Sequence, residues 1–409
     1  MIRDVVIVSA CRTAIGKFGG SLANIPAPEL GATVIRHALQ RAHVDPAIVD
    51  EVFMGCVVPA GQGQAPARQA SIKAGVPPFV GATTVNKICG SGLKTVMLSA
   101  AMIQAGDAEI TVAGGMENMN LAPFYLPRAR TGYRMGGIAK GGVGGAVPDG
   151  LVDGMVLDGL WCAFSNHHMG SSAEWIVREF QLTRQELDEF AYHSQRKAAE
   201  AIAAGRFKDE IVPVEIPQRK GPPLLYELDE NPRPFASQEE AMAALGKLAP
   251  AFEKDGIVTA GNSPGITDGA AAVVVMSADK AKELGLTPLA RITAYGQAAV
   301  EPLKLFTAPI YAVQNVMKKL GVDINYFDLI EANEAFAAQA VADGKALGWD
   351  WDRVNVNGGA IALGHPIGCS GTRVLVTLIH ALKQRNLRTG IATLCLGGGE
   401  AVALSVELV

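Results

Sequence analysis

Two stretches far apart in this chain share one layout. Asn86-Lys87-Ile88-Cys89-Gly90-Ser91-Gly92 and Asn357…Gly368-Cys369-Ser370-Gly371 each follow a strand-like run, turn through glycines and open an apolar helix. Their surroundings repeat as well. In the first third, apolar runs at residues 5–8, 51–58, 85–88 and 108–113 read as strands. They alternate with helical spacing over Ala27–Ala42 and residues 67–74 and 92–105. In the last third, strand runs at 271–276, 329–330, 354–356, 391–396 and 401–408 alternate with helices at Ala308–Leu320, 336–347 and 371–384. Strands alternating with helices build βαβ units and a sheet covered on both faces. A duplicated α/β unit is therefore expected.

The middle of the chain reads differently. Residues 121–261 carry a glycine-rich run at Gly136–Gly150 and a proline-rich run from Pro213 to Pro234. Between them Thr183-Arg184-Gln185-Glu186 matches a capping box, opening a charged helix to about Ala204. The expected organisation is an N-terminal half over residues 1–120, completed by about 262–288, an inserted loop domain over 121–261, and a C-terminal half over 289–409. A chain of 409 residues exceeds the usual capacity of one core.

Composition excludes several function classes. With 49% hydrophobic and 19% charged residues the chain reads as well-buried and globular, not disordered. A formal net charge of −4 offers no basic footprint for nucleic acid. No stretch is read as approaching the ~18 apolar residues of a membrane span, so no membrane partner is expected. Met1-Ile2-Arg3-Asp4-Val5 runs straight into a strand pattern, without a signal or transit peptide. The six cysteines, Cys11, Cys56, Cys89, Cys162, Cys369 and Cys395, are dispersed with no CxxC pair. That pattern fits reduced thiols in the cytoplasm. His167 and His168 are adjacent, with no HxxxH or HxxE spacing, so no metal site is expected.

Three residues stand in glycine-rich settings suited to chemistry. Cys89 lies at or near a helix N-terminus, where the macrodipole favours a thiolate and glycines admit a substrate. It reads as a nucleophile, with a buried structural cysteine as the alternative. His365, in Gly364-His365-Pro366-Ile367-Gly368, is held by the proline; an ordinary pKa of about 6.5 suits proton removal from a thiol. The alternative is a histidine satisfying turn carbonyls. Cys395 ends a strand before Gly397-Gly398-Gly399, whose N–H groups are placed to stabilise an oxyanion. A thiol with a pKa of about 8.5 can serve as acid and base; core packing is the alternative. Asn333, in Glu331-Ala332-Asn333-Glu334-Ala335-Phe336, reads either as positioning a water or carbonyl or as a helix N-cap. Cys11, Cys56 and Cys162 read as packing residues, and Cys369, which opens a helix just past the histidine loop, is not expected to carry chemistry. Gly136–Gly150 lacks the GK[ST] ending of a phosphate loop and reads as a flexible or oligomer-contacting segment.

At these residues the chain resembles the thiolase family from end to end. The resemblance rests on Ser9-Ala10-Cys11-Arg12-Thr13, Gly61-Gln62-Gly63-Gln64, Ala113-Gly114-Gly115-Met116-Glu117-Asn118-Met119, Asn333-Glu334-Ala335-Phe336, Gly364-His365-Pro366 and Cys395-Leu396-Gly397-Gly398-Gly399. It implies the thiolase fold: two duplicated βαβαβαββ-type halves in a layered α-β-α-β-α arrangement, with an inserted loop domain. It implies ping-pong acyl transfer, two acetyl-CoA giving acetoacetyl-CoA and CoA, and the reverse. Cys89 would carry the acyl group, His365 activate it, and Cys395 remove the α-proton of the second substrate. Asn333, through a water, and His365 would form one oxyanion hole; the N–H groups of Cys89 and Gly397 would form the other. Coenzyme A contacts would fall on Leu160, His168, Met169, Phe252, Ala260, Ser263 and Phe336. CoA thioesters are the substrates, and no metal or tightly bound cofactor is implied. Family members are dimers or tetramers, and residues 121–145 resemble the tetramer-building segment, so a homotetramer is expected.

Two departures bear on the substrate. Ser263-Pro264-Gly265 places proline where the family usually has a pantetheine-contacting serine. Lys304-Leu305-Phe306-Thr307 stands where short-chain enzymes often carry Met-Gly. Cys89-Gly90-Ser91-Gly92 resembles the acetoacetyl-forming branch. A 3-ketoacyl-CoA thiolase of broader chain length and a non-catalytic CoA or lipid binder are the alternatives. A β-ketoacyl synthase would be expected to lack the second cysteine, Cys395.

Overall fold

The computed structural model describes residues 3–132 and 150–409. Among these, nine strands form one continuous sheet: β1 (Val5–Thr13), β2 (Glu51–Gly55), β3 (Gly81–Val85), β4 (Ile110–Asn118), β5 (Thr267–Ser277), β6 (Ala290–Ala299), β7 (Leu329–Ala332), β8 (Thr389–Leu396) and β9 (Glu400–Leu408). Their order is β3-β2-β4-β5-β1-β6-β9-β8-β7, with two short strands joining at the flanks. The duplication is written in the pairing. Outward from β1 the neighbours β5, β4, β2 and β3 pair antiparallel, antiparallel, parallel, parallel. Outward from β6 the neighbours β9, β8 and β7 repeat that sequence, ending on a parallel bridge from Ile330 to Val354. The halves meet where β1 pairs β6 at Val6–Arg291 and Ile7–Ala290.

The longer helices that position the site are α1 (Ala27–Ala42), α2 (Pro66–Lys73), α3 (Ser91–Ala105), α4 (Met169–Glu179), α5 (Arg184–Ala203), α6 (Ala308–Leu320), α7 (Ala337–Leu347) and α8 (Ile367–Gln384). α1 and α2 cover one outer face and α6 covers the other, while α3 and α8 pack on each other between the halves. The result is five layers, α-β-α-β-α. β1 explains why its sequence shows no polar alternation. Val5 and Ile7 face the α3/α8 core and Val6 and Val8 face α1, so both sides are buried. Each buried valine or isoleucine is worth about 1.5–3 kcal/mol.

α3 and α8 cross at their first turns, backbone to backbone. A Cβ on Gly371 would lie 2.3 Å from the Leu93 nitrogen, and one on Gly92 would lie 2.8 Å from the Thr372 nitrogen. Thr372 Oγ1 donates to the Gly92 carbonyl at 2.9 Å. The window Ile88–Ala105 is long and apolar enough to cross a membrane, contrary to the sequence expectation, yet it is this buried core helix. The capping box at α5 is formed in both directions: Thr183 Oγ1 accepts the Glu186 N–H and Glu186 accepts the Thr183 N–H at 2.7 Å. α4 and α5 lie over α7 and the short helix Ala360–Leu363. The fully buried Arg12 ties this segment to β1, binding Asp229 at 2.7 and 2.9 Å and Glu210 at 2.6 Å.

Several boundaries differ from expectation. The run at 85–88 is not a strand; β3 lies four residues earlier, and the Lys87–Cys89 bridge belongs to a turn. Residues 354–356 contribute a single bridge rather than a strand. β6 was not anticipated, because its Thr293, Tyr295 and Gln297 interrupt the apolar run on a partly exposed strand. α4 was not anticipated either, although Ala173, Ile176 and Val177 fall on one buried face at helical spacing. The run Gly136–Gly150 before Gly150, and the part of 121–145 beyond Gly132, lie outside the described residues.

The helix crossing has a direct consequence. Gly371→Ala should destabilise the protein by about 1–3 kcal/mol or more, since backbone rather than a flexible side chain must move. Urea denaturation would read this as a lower midpoint; an unchanged midpoint would mean the crossing relaxes freely.

Candidate active site

The turn after β3 presents Cys89 two residues before α3 begins. Ile88 is in the left-handed region at φ 46°, a conformation costing a β-branched residue on the order of 1–3 kcal/mol. Hydrogen bonds hold it there. Asn86 Oδ1 accepts the Ile88 N–H at 3.1 Å, Ser91 Oγ accepts the Lys87 N–H at 2.8 Å, and Ser91 Oγ donates to the Ile88 carbonyl at 2.6 Å. The Cys89 sulfur faces the backbone N–H groups of Gly397 and of Cys89 itself. Cys395 lies next to last in β8, and Gly397 follows in the turn to β9.

His365 stands in the equivalent turn of the second half, before α8. Gly364 takes φ 107°, and a Cβ there would meet Thr267 at 2.5 Å. The imidazole Nδ1 lies 2.6 Å from Ser370 Oγ, which in turn lies 3.0 Å from the Pro366 carbonyl. The hydroxyl has one proton, and that carbonyl can only accept it. The assignment satisfying all three groups puts a proton on Nδ1 and leaves Nε2 as a lone pair. Nε2 is buried and has no protein partner. Ser370 was missed by sequence reasoning, although the signal existed: it occupies in Cys369-Ser370-Gly371 the place Ser91 holds in Gly90-Ser91-Gly92. Both hydroxyls brace a reactive turn.

One cavity of about 280 Å³ brings these groups together. Cys89, His365, Cys395 and Gly397 line it, with Leu160, His168, Met169, Phe252, Ser263 and Phe336. Two expected residues are elsewhere. Ala260 is exposed and off the cavity wall, because the turn after buried Thr259 points it outward. Asn333 is not on the wall itself but touches the imidazole, its Nδ2 3.4 Å from His365 Nδ1, and its buried Oδ1 has no protein partner and is available to a water. It is not a helix N-cap: α7 begins at Ala337 and Phe336 holds the cap position. Ile88, Met119, Ile266, Leu305, Phe306 and Ile367 complete the apolar wall. Ser263 Oγ is buried without a partner beside Pro264. Cys11, Cys56, Cys162 and Cys369 are buried away from this wall. No cluster of side chains able to hold a metal ion occurs among the described residues.

Burial overturns the expected protonation behaviour. Desolvation pushes the Cys89 thiol up to about 12, against the pull of the Gly397 and Cys89 N–H groups. A helix terminus supplies roughly 0.3–1 kcal/mol, whereas one pH unit is about 1.4 kcal/mol, so the dipole loses. Burial, then the Arg373 charge, pushes His365 down to about 3. Burial, then neighbouring Cys89, holds Cys395 well above an ordinary thiol. The resting site is therefore a neutral thiol, a neutral imidazole and a second neutral thiol.

Comparison with known proteins places these residues in a family. The thiolase N-terminal domain profile matches residues 5–279 and the thiolase C-terminal domain profile matches residues 286–408. The chain is 57% identical over 405 residues to an acetyl-CoA acetyltransferase of Pseudomonas aeruginosa, covering 99% of each. It is 53% identical over 408 residues to one of Escherichia coli, again covering 99% of each. The crystal structure of the Bacillus anthracis acetyl-CoA acetyltransferase superposes with a TM-score of 0.93 at 41% identity, covering 100% of this chain and 99% of the other.

The neutral resting state makes two predictions. Alkylation of Cys89 by iodoacetamide should rise steadily with pH through 7–10; a plateau below pH 8 would instead reveal a thiolate–imidazolium pair. His365 takes its proton near 6.5 in an unfolded chain but near 3 when folded. Its contribution to stability is thus complete above pH 6.5 and is lost as pH falls toward 3. Urea midpoints should drop more over that window for the natural protein than for His365→Asn.

Proposed function

The chain belongs to the thiolase family, and from that premise we propose how its cavity transfers acyl groups. The enzyme is an acetyl-CoA C-acetyltransferase, joining two acetyl-CoA into acetoacetyl-CoA and CoA and running the same reaction in reverse. The observation that carries the mechanism is the convergence of Cys89, His365 Nε2, Cys395 and the Gly397 N–H on one apolar cavity.

Cys89 attacks the thioester carbonyl of the first acetyl-CoA while its proton passes to His365 Nε2. The N–H groups of Cys89 and Gly397, already aimed at the sulfur, receive the carbonyl oxygen as charge develops. The C–S bond to CoA breaks, and the departing thiolate takes the proton of Cys395, which becomes the base. That thiolate removes the α-proton of the second acetyl-CoA and is restored as a thiol. The enolate oxygen is held by the Nε2–H of protonated His365 and by a water on Asn333. Enolate carbon attacks the acetyl-Cys89 carbonyl, the Cys89–acyl bond breaks, and the sulfur recovers its proton from His365. Protons and charges balance over the cycle. An acyl-cysteine divides one hard condensation into two easier steps. The scheme needs no metal or bound cofactor.

Leu160, His168, Met169, Phe252, Ser263 and Phe336 are proposed to hold the pantetheine arm of CoA, and exposed Ala260 to meet the part of CoA that stays outside the cavity. The chain is read as two halves, residues 1–120 with 262–288 and residues 289–409, carrying an inserted loop domain over 121–261. We propose a homotetramer, supported by the partly exposed edge strand β3 beside Phe79, which is 76% exposed. Six free cysteines are consistent with a cytoplasmic setting, and short-chain fatty acid metabolism with C4 chemistry. A β-ketoacyl synthase is disfavoured because Cys395 stands in the cavity with Cys89.

Incubation with acetyl-CoA, quenching and mass spectrometry should find one acetyl group on Cys89 with release of CoA; absence of both would sink the mechanism. Cys395→Ala should still transfer an acetyl group at stoichiometric level, since solvent can supply the proton, but fail to condense. Normal condensation by that variant would overturn the role of Cys395. Asn333→Ala should lower condensation by about 10²–10³-fold.

A further inference from the structure

Along one side of the cavity four rings stand in series. His168 stacks on Phe252 at 4.8 Å, Phe252 meets Phe336 edge-on at 5.9 Å, and Phe336 meets Phe306 edge-on at 5.5 Å. Burial grows along the row. His168 and Phe252 are half-buried, Phe336 is 8% exposed and Phe306 is 2% exposed. The first rings thus stand nearer solvent, and Phe306 is the least exposed of the four. Gly265, exposed on the cavity rim, marks the open side. Cys395, 2% exposed, shares one apolar cluster with Leu305, Phe306 and Phe336.

Phe306 projects from the 3-10 turn Pro302–Thr307, which packs against β8, the strand carrying Cys395. Its ring is held by the edge contact with Phe336 and is almost wholly buried where it meets the cavity. The cavity is about 280 Å³, and the thioester end of the CoA arm must share it with the acyl group. A buried ring on the wall shared with Cys395 therefore limits what can extend past the cysteines. We infer that Phe306 is a specificity residue: it closes the acyl end of the cavity and confines the group carried on Cys89 to two carbons, excluding longer straight chains. This rests on the acyl-transfer reading and deepens it, since the same residue would keep cleavage to four-carbon 3-ketoacyl thioesters.

Energetically the restriction is within reach of one side chain. Each methylene that a hydrophobic pocket accepts or refuses changes kcat/KM by about 10–200-fold. The test measures the first half-reaction alone, as the rate of acyl-Cys89 formation by intact mass. Acetyl-CoA, butanoyl-CoA and hexanoyl-CoA are each given to the natural protein, to Phe306→Ala and to Phe306→Leu. The natural protein should acylate from acetyl-CoA at least about 100-fold faster than from hexanoyl-CoA. Phe306→Ala should lower that ratio by about 10-fold or more, and Phe306→Leu by less.

Hexanoyl transfer at the acetyl rate in the natural protein would overturn the inference while leaving the acyl-transfer reading intact. So would an unchanged ratio in a folded Phe306→Ala. Absence of any acyl adduct from all three donors would instead defeat the underlying reading. Should Phe306→Ala fail to fold, Leu305→Ala, which recedes from the same wall, must lower the ratio in its place; a ratio as high as the natural protein's would overturn the inference.

Discussion

The crossing of α3 and α8 is the contact on which this site depends. Each helix begins directly after a reactive turn, and each contributes a glycine, Gly92 and Gly371, to the point of closest approach. With backbones in contact there, Cys89 from one half and His365 from the other are brought to one cavity although 276 positions separate them in sequence, from 89 to 365. The second turn is also clamped from below. Glu117 accepts the N–H groups of Val57, Val58 and Gly368 at 2.9, 3.2 and 2.8 Å. Gly368 itself lies so close beneath β4 that a Cβ on Gly115 would sit 2.1 Å from its carbonyl oxygen. Burial pushes the Glu117 carboxyl up to about 7 in spite of those three donors, so its hold is a matter of geometry as much as of charge.

Closeness has an electrostatic consequence. Packing both reactive turns under two layers removes water, and each ionisable group in the cavity is driven toward its neutral form. A thiol near 12 and an imidazole near 3 do not exchange a proton at rest. They do so only when substrate supplies a carbonyl on which negative charge can gather, under N–H groups already in place. The apolar wall that disfavours charge in the resting enzyme strengthens the same hydrogen bonds once charge develops.

Much of this was legible in the sequence where one physical signal dominates. The helix Ala308–Leu320 shows apolar spacing between clear ends and is found at those residues. The capping box at Thr183 is local chemistry and forms as expected. Cys89, His365, Cys395 and Gly397 stood out because each reactive side chain has glycines within two residues of it in a turn. β6 did not stand out, since a strand with one partly wet face and polar residues has no long apolar run. Ile88 carries no mark of its left-handed backbone, and Ser370 seemed an ordinary helix-opening serine. Ala260 and Asn333 show the limit from the other side: neighbours in sequence of lining residues, neither is on the cavity wall, Ala260 being exposed and Asn333 buried against His365.

Sequence alone determined the duplicated α/β plan, the reactive residue types and the glycines that flank them, because these are consequences of local periodicity and side-chain chemistry. Tertiary structure decided which of those residues meet, which nitrogen of His365 is free, and the protonation each group holds. It also decided that Phe306 lines the same cavity as Cys395. These properties depend on desolvation and on contacts between segments hundreds of residues apart, and neither is written in any single stretch of chain.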